Sequence, residues 1–99
     1  MSFQLAVQQD IQILTLQGAI TIRDASDLTA LLHEGLRDGL PLNVATQGLE
    51  DIDTSGLQIL CSLRKTVAAF SFTDPSEVLV RAVERCGLRR ELLGAREGL

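Results

Sequence analysis

At 99 residues and 10.7 kDa the chain has the size of one domain, and an apolar content of 45% without a long polar tract excludes intrinsic disorder. A net charge of −4, with three Phe and neither Trp nor Tyr, excludes the basic groove and stacking platform that nucleic acid requires. No run approaches the roughly 18 consecutive apolar residues of a membrane span, and Met1 to Gln4 lack a basic segment leading into an apolar one. We therefore expect a single cytoplasmic domain over residues 1–99, with no direct membrane insertion.

Charge is unevenly spread. Up to Gly56 the chain carries two arginines against eight carboxylates; beyond it, seven basic side chains face five acidic ones. The acidic half is suited to a basic patch on a partner protein. Cys61 and Cys86 lie in helical patterns without CxxC spacing, so buried, reduced thiols are expected rather than a disulfide. His33 is the sole histidine and no Cys/His cluster exists, so neither a metal nor a cofactor is expected; His33 is placed on the wet side of a helix.

Phe3, Leu5 and Val7 alternate with Gln4, Ala6 and Gln8, the period of a half-buried strand. Gln9-Asp10 is a short turn, and Ile11, Ile13, Leu14 and Leu16 supply a second strand ending at Gly18, which predicts an antiparallel hairpin. Thr21 as N-cap and Asp24 at N3 open a helix whose inward stripe is Leu28, Leu31, Leu32, Gly35 and Leu36. Gly39 is expected to end it and Pro41 to prevent its resumption. Leu42 to Thr46 is the third strand, parallel to the second across the helical crossover.

The most informative stretch is Leu49-Glu50-Asp51-Ile52-Asp53-Thr54-Ser55-Gly56-Leu57: an acidic loop that delivers two hydroxyls and a glycine to an apolar-periodic run. Thr54 is the predicted N-cap of a second helix, and the same helix terminus is suited to a phosphoryl group by its partial charge and free donors. That helix is expected to bury Ile59, Leu60, Leu63, Val67 and Phe70. Leu57, Cys61 and Arg64 then fall on its flank, where Leu57 serves either a partner or the edge of the core. Phe70 to Thr73 form a fourth strand. Asp74 as cap, Pro75 at N1 and Glu77 at N3 start a third helix with Leu79, Ala82, Val83 and Cys86 inward and Gly87 as its stop. Leu88 to Leu93 add a helical turn and residues 94–99 are expected to fray. The predicted fold is α/β: a mixed four-stranded sheet in the order β-β-α-β-α-β-α with helices packed on it.

The run Asp53-Thr54-Ser55-Gly56-Leu57, preceded by Leu49-Glu50-Asp51-Ile52, resembles the signature of STAS domains, the family of anti-anti-sigma factors and their relatives. The resemblance covers essentially the whole chain and implies the same element order. It implies that Thr54, directly after the family Asp at Asp53, accepts phosphate from a partner kinase of the anti-sigma type or a related signalling kinase. Ser55 is then a first-turn helix residue. Asp53, Thr54, Ser55, Gly56, Leu57 and Thr21 form the partner-binding set. Asp53 either positions the acceptor hydroxyl or stabilises the loop through backbone N–H bonds. No glycine turn separates the second helix from the fourth strand, which brings the match nearer to compact STAS proteins. These also resemble accessory subunits docking on a transporter ATPase of the lipid-transport type, with Thr54 as a cap and contact.

Catalysis is not expected. Asp53 occupies the position a G-x-S-x-G motif would need as glycine, and no phosphate-cradling G-x-x-x-x-G-K-[ST] is present. His33 has no evident partner for a nucleophile triad.

Overall fold

The structure, a computed structural model, describes residues 3–67 and 69–93. The expectation for residues 94–99 lies outside them. The elements follow the predicted order: β1 (Phe3–Gln8), β2 (Ile11–Ile20), α1 (Ile22–Gly35), β3 (Leu42–Ile52), α2 (Thr54–Thr66), β4 (Phe70–Thr73), α3 (Glu77–Arg85) and the single turn α4 (Arg89–Leu92). The sheet runs β1-β2-β3-β4, antiparallel between β1 and β2 and parallel thereafter.

All helices share one hydrophobic cluster with one face of the sheet. The register places Phe3 beside Leu16 and Leu5 beside Leu14, and then Leu14 beside Val44 and Leu42 beside Phe70. These residues pack with Leu28 and Leu32 of α1, Leu57 and Leu60 of α2, and Leu79 and Val83 of α3. The opposite face, which holds Gln4, Ala6, Ile13, Thr15, Asn43 and Ala45, contains no buried residue.

Four boundaries differ from the sequence expectation, each for a physical reason. Helix α1 stops at Gly35 rather than Gly39, with Leu36 already extended at φ −70° and ψ 138°. The cause is Gln12, a fully buried side chain on β2. Its Oε1 accepts from Arg37 N at 2.7 Å, and its Nε2 donates to the carbonyls of Arg37 and Leu40 at 3.2 and 3.3 Å. The chain after α1 is thus held in a non-helical path by one side-chain amide.

Strand β3 runs on to Ile52, so the expected acidic loop is mostly strand, and β2 likewise extends to Ile20. Two bulges hide this from the alternation: Thr15 and Gln17 pair with Ala45 and Gly48, and Gly18 and Ala19 with Leu49 and Asp51. They turn Leu49 and Ile52 inward and leave Glu50 and Asp51 exposed.

Ser76, not Asp74, caps α3, its hydroxyl accepting from Leu79 N at 3.2 Å. Asp74 has φ 43° and is spent on the turn, whereas a cap needs extended backbone. Ser76 N in turn donates to the buried Thr46 Oγ1 at 3.0 Å, which fixes the start of α3 to β3.

Helix α2 buries Gly56, Leu57, Leu60, Cys61 and Leu63, while Ile59 and Val67 are only partly covered. With α1 on one flank and α4 on the other, its buried arc is wide enough to take in the residues expected on its edge. Cys61 is buried as expected, but Cys86 is exposed, because α3 has ended and Cys86 is its C-cap.

Replacing Gln12 with Ala should lower unfolding free energy by about 2–3 kcal/mol, since it empties a fully buried site and removes the partner of three part-buried backbone groups at once. Urea denaturation followed by circular dichroism measures this. Gln8→Ala, on the exposed end of β1, should stay within about 0.5 kcal/mol of wild type.

Candidate functional site at the joined helix N-termini

Strands β2 and β3 end side by side, Ile20 opposite Ile52, so the helices that follow them begin as neighbours. Asp53 is the hinge. Its backbone N–H donates to Ile20 O at 3.0 Å, and its extended backbone, φ −96° and ψ −178°, makes it the N-cap of α2. One carboxylate oxygen, Oδ1, accepts from Gly56 N at 3.2 Å; the other, Oδ2, accepts from Ile22 N at 2.9 Å. A single side chain thus satisfies free donors at two helix N-termini, each with partial positive charge. These two bonds are of the loop-stabilising kind, one of the two jobs expected of Asp53.

This corrects the assignment of Thr54 as the cap. Thr54 is the first helical residue and its side chain is exposed. An anionic acceptor one position earlier, serving a second helix as well, wins the competition for the orphan N–H groups. The Thr54 hydroxyl is left with a long contact to Cys86 Sγ, 3.9 Å away. Thr21 caps α1 as expected: its Oγ1 accepts from Arg23 N at 3.2 Å, and Asp24 Oδ2 accepts from Thr21 N at 2.9 Å.

Of the remaining partner-set residues, Ser55 is half-buried and Gly56 is buried. A Cβ on Gly56 would meet Ile52 Cγ1 at 2.7 Å and Ile20 Cγ2 at 3.1 Å, so only glycine lets the first turn of α2 rest on the strand ends. Leu57 is fully buried and belongs to the core, which removes it from any partner-contacting surface.

Two neighbours of the site escaped the sequence. Ile22, the first residue of α1, is 72% exposed although it is a large aliphatic. Its place in the helical repeat was a usable signal, because it falls off the inward stripe that begins at Leu28. Cys86 carries no local signal, since it reaches Thr54 across 32 residues through packing of α3. Among the described residues no group of His, Cys, Asp or Glu is placed to hold a metal ion.

The chain matches the family model described as Mlab, STAS domain, over residues 3–94. It belongs to the STAS domain family. Among solved structures, the anti-sigma factor antagonist SpoIIAA in its unphosphorylated form superposes with a TM-score of 0.60 at 15% identity, covering 98% of this chain and 97% of SpoIIAA. A crystal structure of Mglu aligns with a TM-score of 0.58 at 23% identity over 77% of this chain, which spans 20% of Mglu. No curated protein matches. At these identities the structural likenesses speak to the STAS fold: a four-stranded mixed sheet with helices, shared with SpoIIAA over nearly its whole length.

Two outcomes check this geometry. Asp53→Ala removes both acceptors and should cost about 2 kcal/mol, a fall of roughly 10 °C in Tm by calorimetry. Burial pushes the Cys61 thiol up, with Glu91 adding to the effect and Lys65 opposing it. Iodoacetamide on the native protein should therefore label Cys86 and spare Cys61, as peptide mapping will read; denaturant should expose both.

Proposed function

We propose that this STAS domain is a phosphorylation-controlled protein-binding switch resembling an anti-sigma factor antagonist. Thr54 is the acceptor for a partner kinase of the anti-sigma type or a related signalling kinase. The observation that carries the reading is the exposed Thr54 oxygen, free of any backbone hydrogen bond, beside a half-buried Ser55 and a buried Gly56. In the transfer, Thr54 Oγ1 bonds to the terminal phosphorus of ATP held by the kinase, ADP leaves, and the hydroxyl proton passes to the kinase's base.

The unmodified form binds the partner. Its docking surface comprises Thr54, the exposed Ile22 and the open outer face of α1 at Ala25, Ser26, Thr29, Ala30, His33 and Glu34. Phosphorylation adds about −1.5 to −2 charge at this surface. The switch therefore requires an acidic group of the bound partner beside Thr54: at roughly 6 Å, with an effective dielectric near 20, one unit of like charge costs on the order of 2–3 kcal/mol, or roughly 30- to 150-fold in affinity. That suffices for release.

The resemblance to compact STAS proteins carries a second reading: a fixed accessory subunit docking on a transporter ATPase through the same surface, with no kinase involved. One experiment separates them. The protein and its Thr54→Ala variant are purified from their own cells, and the coprecipitated proteins, supplied with ATP, are tested for phosphate transfer by intact mass and site localisation. The switch requires phosphate on Thr54, its loss in Thr54→Ala, and at least about 30-fold weaker partner retention by Thr54→Glu. Phosphate on Ser55 with Thr54 clean overturns the acceptor assignment. Stable ATPase subunits in the precipitate without any phosphorylation support the second reading.

A further inference from the structure

We propose that the outer edge of β1 is a self-association site, where a second copy of this chain pairs β1 to β1 antiparallel and the two sheets become one of eight strands. Among the described residues nothing pairs with that edge. The opposite edge of the sheet, β4, is only four residues long and runs directly into Asp74 and Pro75. Short edges, charges and prolines are the devices that keep sheet edges from pairing. Strand β1 has none of them: its six residues, Phe-Gln-Leu-Ala-Val-Gln, include no charge and no proline, and Val7 is 39% exposed.

The choice of a second copy follows from charge and from symmetry. Two molecules of net charge −4 repel one another, and least where they meet through a neutral surface. Both β1 and its neighbour β2 are free of charged residues along their whole length. An antiparallel pair about a two-fold axis must also place residues of the same sheet face opposite one another. With Ala6 on the axis, Gln4 of one copy meets Gln8 of the other and Leu5 meets Val7. Amide then faces amide, aliphatic faces aliphatic, and the exposed Val7 gains cover. Strand β1 pairs with the Ile11–Leu16 half of β2, whereas the Asp53 hinge lies at its Ile20 end. The dimer therefore leaves Thr54 of both copies accessible.

The test is sedimentation of the full chain across about 10–500 µM, together with Ala6→Lys, which sets two ammonium groups against each other on the axis. Wild type should sediment at twice 10.7 kDa at the upper end. Ala6→Lys, with unchanged circular dichroism, should raise the dissociation constant at least about 10-fold. Ala6→Cys in a Cys86→Ser background should crosslink to a dimer on oxidation, and Gln4→Cys in that background should not. The crosslink decides the matter if the lysine variant fails to fold. Wild type remaining monomeric throughout overturns the proposal. So does a dimer that survives Ala6→Lys but is lost with Ile13→Lys, since that is stacking of open sheet faces rather than edge pairing.

Discussion

The carboxylate of Asp53 is the constraint on which the end of the molecule where α1 and α2 begin depends. Because Ile20 and Ile52 end their strands as a pair, two helix N-termini open at one place, each with unsatisfied N–H groups and the positive end of its dipole. A neutral hydroxyl accepts well from one of them. A carboxylate has two oxygens and a charge, and Asp53 spends one oxygen on α1 and the other on α2. Capping and chemical modification compete for the same lone pairs. By taking the capping role one residue earlier, Asp53 releases the hydroxyl of the exposed Thr54 from the backbone and leaves it only the long contact to Cys86 Sγ.

The rest of the architecture holds that hinge in place. Gly56 lets α2 settle onto Ile20 and Ile52 at a distance any side chain would prevent. Thr46 secures α3 to β3, and α3 in turn brings Cys86 against Thr54. Gln12 peels the chain off the end of α1 so that it can enter β3 in register. Each of these is a single polar or missing side chain acting where two elements meet. The apolar cluster supplies the bulk of the burial, but it does not by itself decide where helices begin and stop.

Element order, the hairpin, the parallel crossovers and β4 were legible because each rests on local periodicity or on short connections that leave one geometry open. The stripe of α1 and the Thr21–Asp24 capping box were legible for the same reason. What misled were contests between adjacent residues of equal local merit. Asp53 and Thr54 are both good caps, and the deciding donor, Ile22 N, lies 31 residues away. Asp74 and Ser76 compete likewise, and the left-handed backbone of Asp74 settles it. The two bulges in β3 broke the alternation, so that paired strand read as loop. Leu57 was undecidable from α2 alone, because the width of its buried arc is set by α1 and α4 packing on either side.

The placement of Thr54 also bears on how a modification there would be transmitted. The backbone of the first turn is already satisfied by Asp53, and the Thr54 oxygen supports no other element, so a phosphoryl group on it breaks no bond that the fold requires. The helix terminus would even favour the added charge, against the opposition of the neighbouring carboxylate. The free energy of modification would then be expressed almost wholly in the complex, as repulsion and exclusion at the docking surface, and hardly at all as a change of conformation. Such a switch needs no bistable element within the domain. It is consistent with a chain this small, in which nearly every buried residue belongs to a single cluster and no second packing arrangement is in view.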